Sequence, residues 1–403
     1  MGLAALFVIC SPLLRAQTTV EARLAALEVR IQQLESELAE ARGGAPMEPR
    51  LSQVEKSVVE IQQKADFDAL SFFKGMSLGG SLDAYYGYDF NKPGTRTVDF
   101  RNFDFNHNSV ALNLLELNLG RPVSESSRLG YNVTFGYGPT ADFVNGGDPG
   151  VTGDNLFQYY LSGLLPVGKG LTVDVGKFVT QHGAEVIESI PNWNYSRGIL
   201  FAYAIPFYHF GVRATYATSE SVSLAGFLVN GWNNVVDNNG AKTFGAQLVL
   251  SNNRASFVQN YMTGPENDDD NDNFRHLFDT LLTVKLHDKV TFMTNFDYGW
   301  NRLTDGQSAH WIGTANYMRF QFSGRFALTP RFEFFNDPQG FTTGTRQQLK
   351  EITITPEFLI NEHMITRLEY RRDWSNAATF VRGASLDSGS SQDTATIGVM
   401  LTF

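Results

Sequence analysis

The sequence predicts an all-β fold, a transmembrane antiparallel up-and-down β-barrel of about 16 strands, preceded by an α-helical coiled coil. The first observation is composition, because 32 Phe, 15 Tyr and 37 Gly among 403 residues suit antiparallel strands with aromatic belts. The second is a two-residue alternation of apolar and polar side chains from Gly79 onward. The third is that short and long connections alternate between these segments.

Charge, hydropathy and motif content exclude several other classes. A net charge of −10 argues against nucleic-acid binding, which requires a basic face. After residue 17 no segment approaches the roughly 20 apolar residues of a membrane-spanning helix. The seven histidines lack metal-ligand spacing, and no nucleophile motif or phosphate-binding glycine loop occurs. We therefore expect no nucleic-acid partner, no metal, no cofactor and no enzymatic activity.

Residues 1–17 predict a signal peptide, with an apolar core at Leu3–Cys10. The basic residues that usually begin such a peptide are missing, which leaves its start and its cleavage site open. The single cysteine, Cys10, follows the bulky Ile9 rather than the small residue that lipoprotein processing needs. A mature chain without cysteine suits export through an oxidising periplasm.

Residues 18–66 predict a coiled coil that is broken near 43–49. The apolar residues of the first run are spaced by four and three, which is the seam of a left-handed coiled coil; they are Val20, Leu24, Leu27, Ile31, Leu34 and Leu38. Gly43, Gly44, Pro46 and Pro49 interrupt the helix, and Leu51 begins a second run. Self-association and a helix folded back on the barrel both remain open. Residues 67–78 are expected to be a linker.

Residues 79–403 predict the barrel. In one segment Leu129, Tyr131, Val133, Phe135 and Tyr137 alternate with small or polar residues, as a strand between hydrocarbon and water requires. The predicted strands are 79–91, 108–121, 127–138, 155–166, 170–179, 207–218, 221–231, 243–250, 255–263, 275–286, 289–300, 309–322, 325–336, 347–360, 363–374 and 391–403. Two leucine registers within 108–121 predict a bulge, and 199–218 could be one strand or two.

Short links such as Ser219–Glu220 and Asn361–Glu362 alternate strictly with longer ones such as 139–154 and 375–391. Tight turns at one end and long loops at the other are typical of outer-membrane barrels. Because the strand count is even, both termini fall at the short-turn end, which is the periplasmic one. The sheet must close, since a bilayer offers no partners to an open edge.

Alternation also places charged side chains on the inner face of the barrel. An Arg that faced lipid at the midplane would cost about 2–4 kcal/mol, so a water-filled lumen is the reasonable place for these residues. They are Arg213, Arg325, Arg331, Glu333, Glu351, Glu357, Arg367, Glu369, Arg371 and Asp373. They could form a pore wall that acts on passing solutes, or a self-neutralising network that stiffens the wall.

The longest predicted connection is 180–206, and it is rich in polar and aromatic side chains. The candidate functional residues are His182, Glu185, Glu188, Trp193, Tyr195 and Arg197. This loop could fold into the lumen as a constriction. It could also form an extracellular cap, or partly an additional strand at 199–206.

Several segments together resemble the OmpL-like β-barrel porin family. They are GKGLTVDVGKFVTQHGAEVIES at 168–189, NWNYSRGILFAYAIPFYHFGVRATY at 192–216, LVNGWNNVVDNNGAKTFGAQL at 228–248 and RFEFFNDPQG at 331–340. The terminal Phe403 is similar to the residue that outer-membrane barrels present to their assembly machinery. The resemblance covers about 78–403 and implies an outer-membrane porin, with no ligand or catalytic residue to carry over.

The expected function is therefore passive diffusion of small hydrophilic solutes through the barrel. Alternatives are a substrate-specific porin for an anion or an oligosaccharide, and a structural tether in which the coiled coil reaches toward the cell wall. A barrel enzyme is disfavoured. The expected partners are outer-membrane lipid, the assembly machinery and two further copies of the chain, the homotrimer being an analogy with other porins.

Overall fold

The computed structural model describes residues 75–148 and 155–403, together with Val29, Gln32 and Gln33, which are helical. The chain divides into two compact units, Met1–Lys74 and Gly75–Phe403. The predicted signal peptide and all six seam residues of the predicted coiled coil lie outside the described residues.

The second unit is built almost entirely of antiparallel strands, in which apolar and polar side chains alternate. The barrel strands are β1 Ser77–Asp89, β2 Ser109–Arg121, β3 Leu129–Tyr137, β4 Leu156–Leu165, β5 Leu171–Val179, β6 Tyr208–Ala217, β7 Val222–Val229, β8 Thr243–Ser251, β9 Ala255–Pro265, β10 Phe274–His287, β11 Val290–Arg302, β12 Ser308–Ser323, β13 Phe326–Asp337, β14 Gln347–Asn361, β15 Met364–Ser375 and β18 Ser391–Thr402. Each coincides with a predicted strand to within two residues at either end.

The described residues form a closed barrel of sixteen strands. Each strand pairs with its sequence neighbour, and β1 pairs with β18 in register from Ser81 opposite Thr402 to Asp89 opposite Thr394. Beyond that ladder, Gly80 and Phe403 exchange two backbone hydrogen bonds of 2.9 and 3.0 Å. Closure leaves no unpaired edge, as a barrel in hydrocarbon requires.

The two ends of the barrel differ in their connections. The short-turn end carries links such as 288–289, 324–325 and 362–363, together with both ends of the barrel sheet. The long-loop end carries the connections 90–108, 180–207 and 376–390. The predicted strict alternation in length is confirmed, since each connection at the long-loop end is longer than the two links beside it, and the shortest, 303–307, lies between the two-residue turns 288–289 and 324–325. There β11 and β12 extend further than the sequence pattern indicated.

Irregular elements occur mainly in the long loops. Helix α1 (Pro139–Asn145) follows β3, and helix α2 (Ile199–Tyr203) precedes β6. The last long loop contains a hairpin of β16 (Phe380–Arg382) and β17 (Asp387–Gly389), which the sequence did not predict. Residues 199–218, which the sequence left open as one strand or two, form helix α2 followed by the single strand β6. The predicted bulge is present, since the ladder skips Asn113 between Leu112 and Leu114 of β2.

Side-chain alternation sorts the barrel wall into two faces. On β15 the inward Arg367, Glu369 and Arg371 are buried, whereas the outward Leu368 and Tyr370 are 40% and 44% exposed. An outer face of apolar and aromatic side chains with an inner face of charged ones is the pattern of a barrel in a bilayer. No helix in 75–148 or 155–403 is long and apolar enough to cross a membrane.

Candidate functional site

The connection between β5 and β6, residues 180–207, lies inside the barrel, and we call it the inner loop. Its first part is held by β10 and β11. Gly183 donates its backbone N–H to Asp279 (2.8 Å), and Ala184 donates to the side-chain oxygen of Asn295 (2.9 Å). Since a buried backbone N–H without an acceptor is costly, these inward polar side chains fix the position of the loop.

The middle of the inner loop is held on other strands. The backbone N–H groups of Tyr195 and Ser196 donate to the two carboxylate oxygens of Glu369 on β15 (2.7 and 3.1 Å). The Tyr195 hydroxyl donates to Asp83 on β1 (2.9 Å), which also accepts a hydrogen bond from Ser189. The loop therefore spans the interior, from β10 and β11 to β1 and β15.

Close packing accompanies these bonds on the last strand. Gly398 of β18 faces the ring of Tyr195, and a Cβ atom at this glycine would lie only 2.2 Å from that ring. A larger residue at 398 would therefore displace the inner loop or the strand. Glycine is needed here because the loop approaches the wall so closely.

The last part of the inner loop is held through backbone N–H groups at the start of α2. Ile199 and Leu200 donate to Glu333 on β13, and Gly198 donates to Glu185 within the loop (2.6 Å). The partial positive charge of these N–H groups is complemented by the carboxylates. Glu185 and Glu333 thus fix the backbone of the loop.

Three arginines on the strands donate hydrogen bonds to backbone carbonyl groups of the inner loop. Arg331 donates to the Ser196 carbonyl (2.7 Å), Arg367 to that of Ser189 (2.5 Å), and Arg371 to that of Arg197 (2.7 Å). Each arginine is also paired with carboxylates, and these ion pairs are Arg331 with Glu185 and Glu351, Arg367 with Glu357, and Arg371 with Asp373. Buried charges need such partners, so the loop and the wall form one polar network.

The remaining predicted inner-face residues make no hydrogen bond to the inner loop, although Arg325 and Glu357 line a cavity beside it. Arg213 pairs with Asp174 on β5 (2.8 Å) and lies over the Phe178 ring at 4.4 Å. Arg325 is exposed, in the turn before β13 rather than on the strand. Glu357 links the two arginines Arg319 and Arg367 (2.5 and 2.7 Å).

Most predicted residues of the inner loop are buried within it. Burial lowers the pKa of His182 well below its usual value, and the neighbouring His209 adds to the effect. Burial also raises the pKa of the Glu188 carboxyl. Trp193 packs edge-on against Tyr317 (6.3 Å between ring centroids). Arg197 donates to the Ile187 carbonyl (2.5 Å), so it closes the loop on itself.

Two cavities flank the inner loop. The one toward the short-turn end has a volume of about 760 Å³ and is bordered by Trp193. Its charged lining residues are Lys289, Arg319, Arg325, Glu357 and Arg367. The one toward the long-loop end has a volume of about 270 Å³ and is lined by aromatic rings and Arg275.

Several residues that hold the inner loop were not singled out by the sequence analysis. Asp83, Asp279 and Asn295 all accept hydrogen bonds from it. The sequence signal for these residues is a polar side chain at an inward position of a strand. Alternation identifies such positions but does not show which of them contact the loop. In the described part of the chain, no group of His, Cys, Asp or Glu side chains is arranged to hold a metal ion.

Comparison with known proteins supports the architecture. A family model described as "Putative beta-barrel porin-2, OmpL-like" matches residues 75–403. An anion-selective porin from Comamonas acidovorans has a TM-score of 0.54 and 10% identity, covering 81% of this chain and 99% of that one. OmpT, an outer membrane protein of Vibrio cholerae solved in a trimer form, has a TM-score of 0.54 and 11% identity over the same shares.

The outer membrane channel DcaP of Acinetobacter baumannii is similar to the same extent. Its TM-score is 0.54 at 11% identity, covering 81% of this chain and 97% of that one. No curated protein matches the chain by sequence. At these identities the structural likeness shows the fold alone.

Proposed function

Because the chain belongs to the OmpL-like β-barrel porin family, we propose that it lets small hydrophilic solutes diffuse passively across the bacterial outer membrane through the barrel interior. The observation that carries this proposal is the sorting of the wall, with charged residues inside and apolar residues outside. The outer face contacts lipid. The short-turn end faces the periplasm, where the predicted coiled coil of residues 18–66 also lies.

The inner loop is the proposed constriction of this pore. It is held by strands from several sides of the barrel, and the two flanking cavities place it between the two ends. The predicted pore-lining carboxylates and arginines act mainly through the loop, since they hold its backbone. Solutes then pass the edges of this polar network, and its charges act on them at close range.

A preference for anions is the second candidate function, and the 760 Å³ cavity favours it. Arg319, Arg367 and Glu357 form one group with two positive charges and one negative. Within the described residues Lys289 and Arg325, which line the same cavity, make no ion pair. An excess of positive charge in a confined space concentrates anions. The solved anion-selective porin is consistent with this preference but is too distant to establish it.

Assembly as a homotrimer completes the proposal. Homo-oligomers commonly form closed assemblies with rotational symmetry, and OmpT of Vibrio cholerae was solved in a trimer form. Phe403 is the proposed signal to the assembly machinery, because it follows β18 directly and extends the pairing with the first strand through its two bonds to Gly80. The predicted coiled coil would hold the three chains together on the periplasmic side.

Conductance of the purified full-length protein in planar bilayers tests these points. We expect stable single-channel conductance steps. Under a KCl gradient, we expect a reversal potential closer to the equilibrium potential of chloride than to that of potassium. Lys289→Gln with Arg325→Gln should move that potential toward the potassium side, whereas Lys350→Gln, on another part of the barrel, should not. A barrel that does not conduct would disprove the porin, and an unchanged potential would disprove the anion preference.

A further inference from the structure

The smaller of the two cavities, which we call the aromatic cavity, has the composition of a binding site. It lies at the long-loop end, between the inner loop and the ends of β10 and β12. The Trp311 and Phe341 rings are stacked (5.7 Å between centroids, 18° between planes), and Trp232 stands perpendicular to Trp311 at 6.1 Å. Flat apolar walls at right angles suit a planar apolar group.

One cation projects into these aromatic walls. The Arg275 guanidinium lies 5.0 Å from the Trp232 ring centroid and 5.3 Å from that of Phe341. In the described part of the chain its only hydrogen bond runs from Nε to Asn301 (3.0 Å), and no carboxylate lies within 4 Å of it, although the buried Glu266 attracts it electrostatically from a greater distance. Its terminal nitrogens are thus available for two parallel bonds to a carboxylate, and the aromatic rings already fix its plane.

Several other polar groups near the aromatic cavity are already engaged. The Glu266 oxygens accept bonds from the backbone N–H of Trp232 (2.7 Å) and from the Thr243 hydroxyl (2.6 Å). The Thr342 hydroxyl donates to Asp337 (3.1 Å), and the Asn233 side-chain oxygen accepts from the Phe207 N–H (2.6 Å). Among the residues that line the aromatic cavity, Arg275 is the one charged side chain, and its terminal nitrogens have hydrogen-bonding capacity to offer.

We propose that the aromatic cavity binds a small organic anion that carries one carboxylate on a planar apolar ring. The carboxylate pairs with Arg275, and the ring packs against Trp232 and Phe341, which the buried Trp311 supports from behind. A volume of about 270 Å³ is below the roughly 300–1,000 Å³ of sites for drug-sized ligands, so one ring fits and an oligosaccharide does not. An inorganic anion would leave the aromatic walls unused.

This inference rests on the proposed function only in that the bound anion is a solute entering the pore. Binding can be measured without conduction, by isothermal titration calorimetry of the full-length protein in detergent micelles near pH 7. Benzoate is the probe, benzyl alcohol is its uncharged analogue, and acetate is the carboxylate without a ring. We expect benzoate to bind at least tenfold more tightly than either analogue.

Variants then assign the two parts of the site. Arg275→Gln should weaken benzoate about tenfold and leave benzyl alcohol unchanged, whereas Trp232→Leu should weaken both. Arg302→Gln, at the same end of the barrel but outside the cavity, is the matched control and should change neither. If Arg275→Gln does not fold, judged by its migration in gels before and after boiling, Arg275→Lys replaces it with a smaller expected loss.

The outcomes separate this inference from the proposed function. Benzoate binding in a barrel that does not conduct would support the site and disprove the porin. A conducting barrel in which benzoate binds no more tightly than its analogues would disprove the site alone. Equal losses in the Arg275 and Arg302 variants would also disprove it, because the effect would then be general surface charge.

Discussion

Glu369 holds the inner loop by its backbone, and replacing it with alanine should release the loop. It accepts hydrogen bonds from the N–H groups of Tyr195 and Ser196 and from the Thr355 hydroxyl. Each buried N–H left without an acceptor costs about 1–3 kcal/mol, so the two together destabilise the docked loop by about 2–6 kcal/mol. The lower value corresponds to a roughly 30-fold larger undocked population.

Trypsin reports this population directly. Arg197 is the only Lys or Arg between Lys177 and Arg213, and it is 4% exposed when the loop is docked. Cleavage after Arg197 in folded Glu369→Ala protein should therefore accelerate roughly 30-fold, measured as the appearance of a peptide that begins at Gly198. Glu369→Gln, which keeps one acceptor oxygen, should show a smaller acceleration, and Glu362→Ala, in an exposed turn, should show none.

Unchanged cleavage in Glu369→Ala would refute the reasoning, because the loop would then be held without this carboxylate. An equal acceleration in Glu362→Ala would refute it as well, since it would indicate general loosening of the barrel. Single-channel conductance of the same variants tests the proposed constriction. A released loop should widen the distribution of conductance steps, and an unaltered distribution would separate loop docking from the control of solute flow.

The protein should be heat-modifiable in detergent gels with a β-dominated circular dichroism spectrum, and more than about a quarter helix would contradict the fold. Deleting Phe403 should lower the amount of outer-membrane protein more than deleting an exposed loop residue, as immunoblots of membrane fractions would show. Leu27→Asp with Leu34→Asp should abolish the trimer that chemical crosslinking detects without unfolding the barrel. An unchanged yield of crosslinked trimer would assign assembly to the barrel walls. Because the pKa of His182 is lowered in the docked loop, docking should weaken as the pH falls below about 6.5, where the undocked histidine gains a proton. Hydrogen exchange of loop peptides at about pH 5 and 7.5 should show this dependence in the wild type and not in His182→Gln.

The strands were predictable because their physical cause is local. A strand between lipid and an aqueous interior must alternate, and β15 shows this residue by residue from Arg367 to Asp373. The same rule placed Arg331 and Glu351 on the inner face, where the structure has them. It placed Arg325 on strand β13, whereas the residue belongs to the two-residue turn before that strand, from which it lines the 760 Å³ cavity.

The contacts of the inner loop were not predictable from the pattern. Arg367 binds the carbonyl of Ser189, and Glu369 binds the N–H of Tyr195, across long separations in sequence. Backbone groups are the same in every residue, so the sequence carries no mark of which carbonyl an inward arginine reaches. The sequence pattern did not predict helix α2, because five residues are too few to show a helical period.

The packing of Tyr195 against Gly398 bears on the order in which the chain acquires its structure. The inner loop comes from the middle of the chain, whereas β18 is its last strand. The tyrosine also donates to Asp83 on β1, the strand with which β18 pairs. Its socket is therefore complete only after the final strand has joined the first. Contacts so distant in sequence form late, because the entropy of closing the intervening chain is lost before they form. The loop would thus dock after the barrel has closed, and the nascent barrel would pass through a stage with its interior still unobstructed.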